Sequence, residues 1–221
     1  MKKKVAIVAG GFGRHLAPIN DPKWECWGVN ATWRDGSEAA FDRWFELHRY
    51  HYLKWEHQGD DGIHFRWLKS LRTLPVYVQD LNDWRDVPMA RPFPFDEVEG
   101  LSRDFGFYHA CSIDWMIAYA ILLKTPEIGL YGVEQFHTGE PISSRACVEF
   151  WSGVAVGKGI KVSSADNTTF KILHYTITRT PYALDPTWLP FEDRTNGHAQ
   201  HQRERLKATV RTGKVQAGPV G

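Results

Sequence analysis

Cysteine is scarce in this 221-residue chain: there are three, Cys26, Cys111 and Cys147. They are odd in number, far apart and form no Cys-x-x-Cys. That argues against a disulfide framework and a structural zinc site and fits a reducing compartment. An excess of charge is missing too. Lys and Arg number 27 against 26 Asp and Glu, a net charge of +1, so the whole-molecule field does not announce a nucleic-acid binder. Long apolar runs are absent. The longest, Trp115–Leu123, is too short to span a bilayer. After the basic Met1-Lys2-Lys3-Lys4 only five apolar residues precede a glycine, too few for the apolar core of a signal peptide. The expectation is a soluble, cytoplasmic protein without membrane contact. The chain also lacks Gly-x-Gly-x-x-Gly, Gly-Lys-Ser/Thr, His-Glu-x-x-His and Asp-x-Asp. The dinucleotide fingerprint, the P-loop and the common metal motifs therefore have no counterpart. No metal and no resident cofactor are expected.

What is present is a large apolar and aromatic complement. Hydrophobic residues make up 43%, with ten Trp, eight Tyr and twelve Phe. A sizeable core follows, and some rings are available to stack on bases or sugars. The organising stretch is Lys4–Gly13. Val5, Ala6, Ile7, Val8 and Ala9 form a continuous apolar run, as in a central parallel strand covered on both faces. Gly10, Gly11 and Gly13 follow. They allow positive φ and leave bare backbone that can approach a phosphate at a strand's carboxyl end. The plainer reading is a tight turn with no ligand.

Further strands are expected at Trp24–Asn30, Phe41–His48, Pro75–Val78, Glu127–Tyr131 and Ile160–Ser163, and one more at Lys171–Thr178. Asn30 stands at a strand's carboxyl end, where ligand-contacting side chains sit in this architecture. It serves equally well as the cap of the following segment. Phe41–His48 ends in the polar Glu46 and His48, and His51, His57 and His64 follow without a compact metal spacing. Helices are expected over 62–71, with Ile63, Trp67, Leu68 and Leu71 on one face, over 95–103 and over 144–156. Asp80–Pro94, rich in Pro, Asp and Trp, reads as a surface excursion. The strongest helix signal is Ser112–Lys124, with Ser112 as N-cap and an apolar surface almost all round. The alternation predicts an α/β, doubly wound, mostly parallel Rossmann-like sheet over residues 1–192. From Asp193 to Gly221 basic residues dominate and large apolar ones fade. That segment reads as a flexible tail, solvated or touching DNA.

Three stretches together resemble a known family. Lys2–Leu16 is a strand followed by Gly-Gly-Phe-Gly-Arg-His-Leu. Cys26-Trp27-Gly28-Val29-Asn30 ends in Asn. Cys111-Ser112 opens a buried helix leading to Glu127-Ile128-Gly129-Leu130-Tyr131-Gly132-Val133-Glu134. The order is similar to that of the bacterial sialyltransferases of glycosyltransferase family 42, which use CMP-sialic acid. In that family a strand runs into Gly-x-Gly-Pro-Ser, a second ends Cys-Asn, Ser-Gly precedes a helix, and a later strand enters Gly-Ile-Asp. Asp42–His48 and Tyr131–Phe150, including Arg145 and Glu149, also resemble segments of a group of phage-encoded proteins of the same plan.

The resemblance implies a nucleotide-sugar-dependent glycosyltransferase. Gly10, Gly11, Gly13, Asn30, Ser112, Gly132 and Glu134 would surround a CMP- or UDP-linked donor. Arg14 or Arg145 would balance charge on the departing phosphate, and His137 would take the acceptor's proton. The chain departs from the family in places. Its glycine loop has one extra residue and no Asn, Glu134 replaces an Asp, and Phe136 replaces a Tyr that assists the leaving phosphate. For a phage protein, a hydroxymethylated DNA base held through the basic tail is a candidate acceptor. Two other classes stay open: a protein that sequesters a nucleotide without turnover, and a DNA-associated structural protein.

Overall fold

The computed structural model describes residues 3–30, 32, 41–50, 61–103, 106–133 and 142–164. The proposed tail from 193 onward, the expected strand over 171–178, and Glu134 and His137 lie outside these residues.

The described strands form one seven-stranded sheet in the order β5-β4-β3-β2-β1-β6-β7. They are β1 (Lys4–Val8), β2 (Trp24–Val29), β3 (Arg43–Glu46), β4 (Val76–Val78), β5 (Ala90–Pro92), β6 (Glu127–Tyr131) and β7 (Lys161–Ser164). Every neighbouring pair is parallel. The helices are α1 (Asp61–Ser70), α2 (Phe95–Glu99), α3 (Ser112–Leu122) and α4 (Ile142–Gly157). This is the doubly wound α/β plan expected from the alternation.

β1 sits inside the sheet because it can be covered on both faces: Val5, Ala6, Ile7 and Val8 are all buried. The two faces have different occupants. Ala6 and Val8 join Cys26, Trp44, Val76 and Val78, closed over by Leu68 of α1 and by Trp84 and Val87. On the other face Tyr119 of α3 lies against Trp27 at 5.5 Å and Phe45 at 6.2 Å. The core is thus built from large rings, and their fit demands one bare position in β2. A Cβ on Gly28 would fall 2.2 Å from the indole of Trp44.

Three expectations are corrected. Asp80–Pro94 is not simply a surface excursion. Trp84 and Val87 are buried in it, and Ala90–Pro92 adds β5 to the edge of the sheet. In α1, Ile63 is 47% exposed while His64 and Leu68 face inward at 3% and 0%. The helix has turned toward a carboxylate partner for His64, described below. Finally, the cap of α3 is Cys111 rather than Ser112. Cys111 has the extended backbone of a cap, and the Asp114 carboxylate accepts its N–H at 2.8 Å.

On β5, Phe93 N–H donates to the Val78 carbonyl and Val76 N–H donates to the Met89 carbonyl, both at 2.9 Å. Alternation then turns Ala90 and Pro92 outward. The Ala90 N–H is taken by the carbonyl of Val87 at 3.0 Å.

Candidate functional site

Strand order reverses between β1 and β6. The chain builds outward from β1 through β2, β3, β4 and β5, then returns to lay β6 and β7 on the other side. Ligands of open α/β sheets bind in the crevice at the carboxyl ends of the strands beside such a switch. Here that edge carries the glycine turn after β1, Asn30 after β2 and Gly132 after β6. α3 leads back to the start of β6, so its N-terminus, with Ser112, lies toward the same edge.

The glycine turn and Gly132 are locked together. Ala9 N–H donates to the Tyr131 carbonyl and Gly11 N–H to the Gly132 carbonyl, both at 2.8 Å. The β1–β6 ladder is thereby carried past the strand ends. Gly132 has φ +64°, and a Cβ there would meet the Ala9 carbonyl at 2.6 Å and the Gly11 carbonyl at 2.9 Å. Only glycine combines that backbone with that approach. The positive φ expected in the glycine turn therefore lies at Gly132, and none of Gly10, Gly11 and Gly13 adopts it. The Gly11 N–H is also committed to β6 rather than held for a phosphate. Open room remains at Gly10, where a Cβ would have no neighbour within 4 Å. Arg14, in the short 3-10 turn Phe12–Leu16, folds back so that its Nη1 donates to the Gly10 carbonyl at 3.2 Å. A cation thus stands beside the open backbone of Gly10.

Asn30 is in the left-handed region, φ 51°, which Asn tolerates better than most residues. Its Oδ1 is buried and has no hydrogen-bond partner. Among the described residues it caps nothing, and its unpartnered Oδ1 leaves an acceptor at the end of β2. Arg145, in α4, donates from Nε to Glu149 at 2.8 Å. Its charge is shared with that carboxylate.

Two buried acid–imidazole groups lie off the glycine turn. Glu46, at the end of β3, is 0% exposed. Its oxygens meet His48 Nδ1 at 2.6 Å and His64 Nε2 at 2.7 Å. Burial opposes its ionisation, but the bonds and charge of His48 and His64 outweigh burial and hold the carboxyl below the usual range. The polar end of β3 pointed to Glu46 and His48; the partnership with His64 was not visible in spacing. The second group is His109 and Asp114, with Nδ1 at 2.6 Å from Oδ1. His109 was missed altogether. Its only sequence signal is a His five residues ahead of an acid in a helix's first turn.

Burial holds the three thiols in their protonated form. Burial pushes the Cys26 thiol up to about 11 and, with Asp114 adding to it, the Cys111 thiol up to about 12. Burial also raises Cys147. At neutral pH the native protein should therefore react negligibly with iodoacetamide, since the thiolate is the reactive form. Denaturant should release all three thiols. Rapid native alkylation of Cys111, read by peptide mass, would contradict this.

The strand order and its switch point define a doubly wound, parallel α/β protein. The likeness to solved structures is specific at that level. The sialyltransferase CstII from Campylobacter jejuni in complex with the substrate analogue CMP-3FNeuAc aligns with TM-score 0.51 and 15% identity, over 77% of this chain and 83% of that one. A variant of the sialyltransferase CST-II in complex with CMP aligns with TM-score 0.54 and 14% identity, over 77% and 84%. CST-II with trisaccharide acceptor and CMP aligns with TM-score 0.50 at 14% identity, over the same shares. No protein-family model and no curated protein matches the sequence.

Proposed function

We propose that the protein transfers a sugar from a nucleotide-sugar donor, CMP- or UDP-linked, to an acceptor hydroxyl. The observation that carries this reading is the β1–β6 switch point. There Gly132 is pressed against the carbonyls of Ala9 and Gly11, Gly10 is open, and Asn30 Oδ1 stands unpartnered after the neighbouring β2. The phosphate would approach Gly10 beside Arg14, and Asn30 would hydrogen-bond the nucleoside. Shared architecture with proteins solved in complex with CMP supports the choice of nucleotide.

In the transfer, the acceptor oxygen attacks the anomeric carbon and the bond to the phosphate oxygen breaks. The phosphate keeps the electron pair. Arg14 and the N-terminus of α3 answer the charge that develops there. We read the reaction as metal-independent because the sequence carries no Asp-x-Asp. A hydroxymethylated DNA base, with a phage origin, remains the acceptor proposed from the sequence.

The test is a thermal-shift series with CMP, UMP, GMP and AMP and their sugar conjugates. A nucleotide at a hundred times its dissociation constant adds about 2.7 kcal/mol of stability. For a chain of this size that corresponds to roughly 5–10 °C. One mononucleotide and its sugar conjugate should both give this shift. No response to any nucleotide would overturn the reading. Binding without release of the nucleotide from its conjugate would favour a sequestering protein.

A further inference from the structure

We propose that His109 is the base of the transfer, its Nε2 receiving the proton of the acceptor hydroxyl; this rests on the glycosyl-transfer reading above. The geometry begins with Asp114. Its side chain is 0% exposed, and its Oδ2 accepts the N–H groups of Ala110 and Cys111, each at 2.8 Å. Its Oδ1 meets His109 Nδ1 at 2.6 Å. A carboxylate surrounded by donors is an acceptor only, so Nδ1 carries the hydrogen and Nε2 presents its lone pair. The arrangement is the one by which a buried acid fixes the tautomer and direction of a catalytic imidazole.

The ring cannot turn away from this arrangement. Trp115 covers one face at 3.6 Å and 8°, and Trp151 stacks on it at 4.8 Å and 20°. Trp151 is itself fixed, its Nε1 donating to the Tyr108 carbonyl at 2.8 Å. Yet Nε2 is buried and has no hydrogen-bond partner. Leaving a buried polar atom unpaired costs roughly 1–3 kcal/mol. A side chain 0% exposed, clamped on both faces and oriented through Nδ1, keeps one atom unused. A ligand hydroxyl would use it.

Placement agrees. His109 lies just ahead of α3, whose N-terminus faces the carboxyl edge of the sheet. Phe107 is 66% exposed and its ring stands 5.5 Å from the imidazole. Tyr108 is 41% exposed. An acceptor that stacks on these rings and displaces Phe107 reaches the imidazole rim. The acceptor oxygen then bonds to the anomeric carbon as the carbon–oxygen bond to phosphate breaks. Its proton moves to Nε2, and the imidazolium is held against the Asp114 carboxylate until the proton passes to solvent on product release.

The experiment uses the full chain and reads two quantities in parallel: CMP and UMP binding by thermal shift, and release of CMP from CMP-sialic acid or of UDP from UDP-glucose, with a panel of sugar acceptors and DNA containing hydroxymethylated bases. H109N keeps a donor for Asp114 and loses the atom in question. It should bind the mononucleotide as the wild type does and turn over about 100- to 10,000-fold more slowly. H109A leaves a slot between two indoles, and added free imidazole should restore part of its turnover. H137A should retain more turnover than H109N. Turnover by H109N within about threefold of the wild type would overturn the proposal. So would a wild-type protein that binds the mononucleotide but turns over no conjugate, a result that leaves the nucleotide pocket standing. A protein that binds no nucleotide overturns the pocket first, and the base with it.

Discussion

Gly132→Ala should cost the protein about 2–5 kcal/mol of stability, the sum of a left-handed backbone penalty and local overpacking. The added methyl has no direction in which to relax. It would lie 2.6 Å from the Ala9 carbonyl, 2.9 Å from Arg14 Cβ and 2.9 Å from the Gly11 carbonyl. Two of these are backbone atoms, pinned by the 2.8 Å bonds of Ala9 to Tyr131 and of Gly11 to Gly132. Making room means breaking the last rungs between β1 and β6, which also dissolves the proposed nucleotide site. The control is Gly10→Ala, where a Cβ meets nothing within 4 Å. It should melt within about 1 kcal/mol of the wild type and still lose nucleotide affinity, because the methyl fills the room left for a phosphate. Urea melts of both variants, with nucleotide titrations of each, separate the two effects. A G132A protein as stable as the wild type would refute the account of the turn.

Glu46→Gln should be at least as costly, about 3–5 kcal/mol at neutral pH, since it removes one partner from a buried charged group. An amide oxygen cannot take both histidine N–H groups as the two carboxylate oxygens do, so one imidazole must change tautomer or lose its partner. The pH dependence has a definite sign. The carboxyl of Glu46 is held below its ordinary value of 4.5 in the folded protein. The unfolded chain therefore takes up the proton first as pH falls. The stability that Glu46 contributes is complete above about pH 4.5 and is lost as pH drops through the lower folded value. Wild-type protein should lose stability steeply in that window, and E46Q should show a shallower slope there. Equal slopes in the two proteins, from urea melts at a series of pH values, would show that Glu46 is not the titrating group.

Much of the architecture was legible in the chain. The run Val5–Val8 announced a central strand because burial on both faces removes the polar alternation. The apolar circumference of residues 112–122 announced a helix packed on several sides, and Asn30 stood where a strand's end delivers a polar group. Other features depended on partners distant in sequence. The inward turn of α1 is decided by Glu46, eighteen residues before His64, which no helical periodicity contains. β5 is three residues with an Arg and a Pro in it, too short and too polar to resemble a strand until β4 pairs with it. The glycine turn read as a place for positive φ and for a phosphate's approach; the positive φ and the tightest backbone contact belong instead to Gly132, just after a strand that arrives more than a hundred residues later. His109 emerges only when the turn before α3 folds it back onto Asp114.

The outermost strand has a consequence for solubility. An open sheet invites self-association where an edge strand presents free N–H groups to a strand of another molecule. Along β5 the outward positions are Ala90 and Pro92. The first has already given its hydrogen to Val87 and the second has none to give. A foreign strand approaching this side finds acceptors but no donors. On its β5 side the sheet is closed to a foreign strand by the backbone of two residues.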